Sequence, residues 1–174
     1  MNSKLRLLRY DWPLHFILLF TNWLPDNVAF MRLRGRLCKS FFAGCGNKLT
    51  LGRNLVFYNP SKIHIGSEVY IAYGCWICAG VKVTIGNKVS FGPGCVVASG
   101  SHKLSNGNFH DEANFENEEI VIGDGSWLAA NVNVAGGTHI GKASLVAAGC
   151  SVKGNYPDKV LLATTKAEIK KHFN

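Results

Sequence analysis

The chain has 174 residues, 47% hydrophobic and 17% charged, with 19 glycines against 5 prolines. That suffices for one domain with a buried core and excludes a disordered chain or a disulfide-stapled miniprotein. The net charge of +8 is uneven: residues 1–48 hold eight Lys/Arg against two acids and residues 49–174 eleven against nine, so a nucleic-acid role for the body of the protein has little support.

Residues 1–48 read as a basic, helical segment. Lys4, Arg6 and Arg9 precede an apolar run from Trp12 to Leu24, and Arg32, Arg34, Arg36 and Lys39 follow in a second helix-compatible stretch. The run is too short to cross a bilayer and contains His15 and Asn22. No small-residue cleavage site follows it, which argues against a secretory signal. Phe16, Leu19, Phe20 and Trp23 recur at three- and four-residue spacing, predicting a helix face that packs on the body and seals its end. The alternative places residues 4–39 in weak, salt-sensitive contact with an anionic membrane surface. Six irregularly spaced cysteines favour a reducing compartment, so the predicted location is cytoplasmic, at most at the inner membrane surface.

After residue 48 a six-residue repeat takes over. Aliphatic or aromatic residues recur as Ile65, Ile71, Ile77, then Ile85, Phe91, Val97, and again as Ile122, Leu128, Val134, Ile140, Val146, Val152. The position after each is mostly small, as at Gly66, Ala72, Gly92, Gly123 and Ala129. The fifth positions include Val69, Cys75, Val81, Cys95, Ser101, Val132 and Cys150. A period of six cannot be an amphipathic helix. The fifth residue of one hexad and the first of the next lie two apart, so both face inward on a short strand, and the small second position turns a corner. Three strands and three corners make a coil, predicting an all-β solenoid of about five coils over residues 49–157, with a loop inserted at 103–121 and a tail or short helix over 158–174. In this register Cys75, Cys95 and Cys150 share one interior column with Val132 as reduced thiols. Tyr70, Trp127 and Leu145 face outward on one side, where burial against another subunit is expected.

Ser101 in an inward slot would turn His102 outward where the regular coils stop. A break of this length in a solenoid marks a functional loop, and imidazole suits general-base work because it titrates near neutrality. Trp127 lies outward between Ser126 and Leu128. The loop carries Asp111, Glu112, Glu116, Glu118 and Glu119, read as solvated charge.

The stretch "IVIGDGSWLAANVNVAGGTHIGKASLVAAGCSV", preceded by "VVASGSH", resembles the hexapeptide-repeat acyltransferases, and among them the bacterial sugar O-acetyltransferases of galactoside, maltose and colanic-acid type. The resemblance covers about residues 47–170. It implies a left-handed β-helix assembled as a homotrimer, with inter-subunit sites that move an acetyl group from acetyl-CoA to a hydroxyl of a sugar or glycan acceptor, without a metal. It implies His102 as general base, with Trp127 beside it at the substrate. Ala130 and Ala148 would line the coenzyme A arm through main-chain groups, and Lys153 and Lys166 would reach its pantetheine or phosphates. Two departures stand out. An acceptor-binding Asn of an early coil is replaced by Ala72 or Gly74, and the C-terminal "GNPAK" appears as "ATTKAEIK".

Two other classes compete. A metal enzyme like the gamma carbonic anhydrases would use an outward column of His64, Thr84, His102 and His139, yet that family's closely spaced histidine pair is absent, since His102 and His110 lie eight apart. A noncatalytic β-helix used for assembly is the other. The lone CxxC at Cys75 and Cys78 has no second pair and is not read as a zinc site.

Overall fold

A computed structural model describes residues 3–105, 107–109 and 115–165. From Gly44 on, strands of two or three residues build three parallel sheets, the sides of a prism. The first sheet stacks Gly44–Cys45, Ile63–Ile65, Val83–Ile85, Ile120–Ile122, His139–Ile140 and Asn155–Tyr156. The second stacks Thr50–Leu51, Tyr70–Ile71, Ser90–Phe91, Trp127–Leu128, Leu145–Val146 and Leu161–Leu162. The third stacks Val56–Tyr58, Trp76–Cys78, Val96–Ala98, Asn133–Ala135 and Ser151–Val152. The result is a parallel β-helix of about six turns. Such short strands hold because each rung is hydrogen-bonded to its neighbours while its inward residues fill the prism: Leu51, Ile71, Phe91, Leu128 and Val146 are all completely buried. Corner glycines are small because the next rung passes over them. A Cβ on Gly66 would lie 2.6 Å from the backbone of Gly86 and Asn87.

Rungs shorten along the chain. Ile65 pairs with Ile85, 20 residues on; Ile122 with Ile140, 18 on; and Ile140 with Tyr156, 16 on. The longer early rungs carry their extra residues at the corner between the third and first sheets, and this corrects the hexad phase there. Ala79 and Ser99 take the inward slots and are fully buried, whereas Val81 is half-buried and Ser101 exposed. The solenoid also begins before residue 49, at Gly44–Cys45. It resumes after the insertion at Ile120–Ile122, whose Ile120 and Ile122 both face inward, and it continues through Leu161–Leu162. The expected C-terminal helix lies outside the described residues.

The N-terminal segment caps the first rung. Helix α1 (Ser3–Arg6), a π-helical turn (Leu7–Asp11) and helix α2 (Trp12–Thr21) follow one another directly. Helix α3 (Val28–Cys38) is N-capped by Asn27, whose Oδ1 accepts from Phe30 N at 3.0 Å. Leu14, Leu18, Cys38 and Phe42 join Leu49, Leu51 and Leu55 in one core with the coils. The face that packs is not the expected one: Phe16, Leu19, Phe20 and Trp23 are 48%, 53%, 69% and 79% exposed, and Leu14, Leu18 and Thr21 are buried instead. Helix α2 is apolar on nearly every side, so spacing alone could not choose between its faces.

Arg34, one of the four cations of the second helical stretch, lies inside the cap. It is fully buried; Nη1 donates to Asp26 Oδ1 at 2.8 Å and Leu51 O at 2.9 Å, Nη2 to Leu24 O at 2.6 Å, and Nε to Thr21 O at 3.4 Å. Gly35 beside it lets α3 lie directly on the first rung, because a Cβ there would collide with Leu49 O.

Cys75, Cys95, Val132 and Cys150 form the expected interior column, all buried and the cysteines all free. A hydrogen bond to Cys95, and then burial, push the Cys75 thiol up. Burial raises Cys38 from 9.0 to about 12 against the opposing pull of the Arg34 charge. Native protein at neutral pH should therefore yield at most Cys45 and Cys78 to a thiol reagent such as DTNB, and the other four only after denaturation. Prompt reaction of all six would contradict the interior column. The sign at alkaline pH follows. Unfolded Cys38 ionises from 9.0 while the folded thiol stays protonated, so its contribution to stability is complete below pH 9.0 and is lost as pH rises towards about 12.

Candidate active site

Beyond Ser99 the chain leaves the prism. Strand Gly100–His102 pairs antiparallel with Phe115–Asn117, with Ser101 opposite Glu116 and His102 opposite Phe115, as a hairpin rooted at the corner between the third and first sheets. His102 is exposed, as expected, but for a different reason: it stands on the hairpin rather than on a coil, and Ser101 is exposed beside it. The root is tightly tied. Glu118 N donates to Ser99 O at 2.9 Å, and buried Ser99 Oγ accepts from Val81 N at 3.1 Å and donates to Val81 O at 3.3 Å. Asn117 fits over two glycines: a Cβ on Gly80 would collide with its Oδ1, and one on Gly100 would come within 2.8 Å. Ser99, Asn117, Gly80 and Gly100 were not singled out in the sequence. The glycine pair, spaced by one 20-residue rung, was the available signal.

Lys153 lies on this side. Its Nζ is 3.3 Å from Glu118 Oε2, and both side chains are exposed, so it is engaged by the hairpin root in a pair of small energetic weight. A second pair, Lys103 with Glu116, braces the hairpin itself. Glu116 and Glu118, read as solvated loop charges, thus take part in holding it. Along the third sheet runs a groove of about 300 Å³, lined by Ala98, Asn133, Ala135, Ser151 and Lys153 among others.

The remaining candidates gather on another edge. Trp127 is 52% exposed on the second sheet, in an outward column with Tyr70, Ser90, Leu145 and Leu161. Beside it a groove of about 490 Å³ is lined by Tyr70, Ala72, Ser90, Gly92 and Pro93. Three residues after Trp127 the chain turns the corner towards the third sheet at Ala130. Ala148 occupies the same corner one rung on, where Gly149 N donates to Ala130 O at 2.9 Å. Trp127, Ala130 and Ala148 thus form one set and His102 with Lys153 another, on different edges of a single prism. Lys166 and His110 lie outside the described residues, as do Asp111 and Glu112.

The histidine column is corrected. Outward on the first sheet stand His64, Thr84, Val121 and His139 in register, so Val121 takes the slot assigned to His102. Two histidines separated by Thr84 and Val121 do not converge on a zinc ion. Among the described residues no group of three His, Cys, Asp or Glu side chains is placed to hold a metal.

No family model matches the chain. It is 38% identical over 64 residues to WbbJ, an Escherichia coli (strain K12) protein named for O-acetyl transfer in lipopolysaccharide biosynthesis; the match covers 37% of this chain and 33% of that protein. It is 28% identical over 117 residues to a galactoside O-acetyltransferase of Lactococcus lactis, covering 67% of this chain and 56% of the other. The chain therefore spans between a third and just over half of these curated relatives. Its fold matches a Vibrio cholerae hexapeptide-repeat acetyltransferase solved with acetyl coenzyme A, with a TM-score of 0.77 and 26% identity over 92% of this chain and 84% of that one.

Proposed function

We propose that the chain is a member of the hexapeptide-repeat acyltransferases, in their sugar O-acetyltransferase branch, and that it transfers an acetyl group from acetyl-CoA to a hydroxyl of a sugar or glycan precursor. His102 is the general base. It takes the proton of the acceptor hydroxyl as that oxygen attacks the thioester carbonyl carbon. The tetrahedral oxyanion then collapses, the C–S bond breaks, and the coenzyme A thiolate recovers the proton from the imidazolium. Holding donor and acceptor together supplies much of the acceleration, and main-chain N–H groups suffice for the oxyanion. Ala130 and Ala148 leave the corner smooth for the pantetheine arm, with Lys153 and Lys166 towards its phosphates. The indole of Trp127 and the groove beside it offer an aromatic wall to a sugar ring.

The observation that carries this reading is the split of the site. His102 lies on one edge and Trp127, Ala130 and Ala148 on another, so one chain holds two half-sites that close only against neighbouring subunits. A homotrimer unites them, and it would bury the outward column of Tyr70, Trp127, Leu145 and Leu161. The acetyl donor and the reduced cysteines suit the cytoplasm, and a nucleotide sugar or lipid-linked glycan destined for a surface polysaccharide suits the acceptor. The test combines an acetyl-CoA assay across nucleotide sugars and glycan fragments with sedimentation analysis. Sugar-dependent release of coenzyme A by a trimer, unchanged by a chelator, is expected. A fully active monomer would remove the shared site, and absence of turnover with bound stoichiometric zinc would return the metal-enzyme reading.

A further inference from the structure

The cap presents two features that acyl transfer does not use. The first is an outward apolar stripe. Leu5, Leu8, Trp12, Phe16, Leu19 and Trp23 follow one another at intervals of three or four residues through α1, the π-helical turn, α2 and the turn just after it, and are 57%, 56%, 55%, 48%, 53% and 79% exposed. The opposite face, Leu14, Leu18 and Thr21, is spent on the core. The stripe spans roughly 27 Å at 1.5 Å per residue. No helix among the described residues is long and apolar enough to cross a membrane, so this surface lies along an apolar partner rather than through one.

The second feature is charge. Lys4 and Arg9 flank the stripe, both exposed. Between α3 and the first rungs lies a cavity of about 480 Å³ lined by Arg32, Arg36, Lys39 and Lys48, with Asn47 and Glu68. Lys39 Nζ donates to Asn47 Oδ1 at 2.8 Å, and Lys48 approaches Glu68 at 3.8 Å. Arg32 and Arg36 are exposed, and neither pairs with a carboxylate among the described residues. Of the two acids of the segment, Asp26 is consumed by Arg34 and Arg53, and Asp11 Oδ1 accepts from Asn59 N at 3.3 Å.

We propose that the N-terminal cap docks on an anionic lipid bilayer, with the Leu5–Trp23 stripe seated at the headgroup–acyl boundary and lipid phosphates drawn to Arg32, Arg36, Lys39 and Lys48. Apolar, tryptophan-bearing helices with cationic flanks are the chemistry that a negatively charged interface takes up. A second copy of the chain is the poorer occupant, because pairing two caps would bring Arg32 and Arg36 of each copy together.

The test is co-sedimentation of the full chain with vesicles of equal parts phosphatidylglycerol and phosphatidylcholine, against pure phosphatidylcholine. Binding to the anionic vesicles at low ionic strength, its loss at high salt and little binding to the neutral ones are expected. The triple variant Trp12→Ser, Phe16→Ser, Trp23→Ser should lose at least tenfold in affinity with turnover on a soluble acceptor unchanged. Arg32→Ser with Arg36→Ser should lose about fivefold for each cation removed. Inorganic phosphate should displace the protein no better than chloride of matched ionic strength. Absence of binding at low salt, or undiminished binding by the triple variant, would overturn the proposal. So would specific release by phosphate, which assigns the cavity to a free anion, or a fall in oligomeric mass in the triple variant, which assigns the stripe to contact between copies.

Discussion

Replacing His102 with Ala is expected to lower acetyl transfer by at least ~10²-fold, with the melting temperature and acetyl-CoA binding nearly unchanged. The loss corresponds to about 2.7 kcal/mol of transition-state stabilisation. It should fall on the chemical step because the imidazole acts only while the acceptor proton is in motion. Stability should hold because His102 is exposed on a hairpin outside the prism, whose root is tied by Ser99 and Glu118. His102→Asn is the useful companion: it keeps a polar group of similar reach without a titratable nitrogen, so it should be as inactive as the alanine variant. Near-wild-type turnover in either would remove His102 as the base and make His110 the next candidate.

The largest effect on stability is expected at Arg34. Arg34→Ala removes the donors that satisfy Thr21 O, Leu24 O and Leu51 O, and it leaves Asp26 to Arg53 alone. Breaking a buried charged network by deleting one partner costs about 3–5 kcal/mol, which for a domain of this size lowers the melting temperature by roughly 6–20 °C. Arg34→Met should recover part of the packing but none of the hydrogen bonds, and Arg34→Lys cannot serve acceptors spread around a planar fork. Differential scanning calorimetry on the three variants checks this. A shift of less than about 2 °C in Arg34→Ala would mean that the cap is held by its apolar contacts alone.

The solenoid was legible because its physics is periodic. Inward residues must alternate on each strand, and each corner must leave room for the rung above, so Ile122 through Val152 could be placed on rungs directly. The phase slipped where a corner held two extra residues. A buried Ala79 or Ser99 carries no hydrophobic signal strong enough to displace Val81 or Ser101 from a regular count, and the same slip put His102 into a column that belongs to Val121. In the cap, α2 is apolar around its circumference, so its exposed stripe and its buried face looked alike. Nothing local in the sequence marks Arg34 as a buried cation, because its acceptors come from Thr21, Leu24 and Leu51. The candidate site residues were named one by one through resemblance. Its division between two edges was not, because the edge on which a residue falls depends on rung length and not on motif.

The hairpin that carries His102 leaves the prism at Ser99 and returns at Glu118, where the two backbones are joined by a 2.9 Å hydrogen bond. Departure and return therefore coincide in space, and the rungs before and after meet as though nothing lay between them: Val83 still pairs with Ile120. Such an excursion is nearly free to change length, since each doubling of a flexible loop adds only about 0.6 kcal/mol of closure entropy. Length and sequence can accordingly change in this one interchangeable segment while the scaffold keeps the same stacking, much as a tool head is exchanged on a fixed handle.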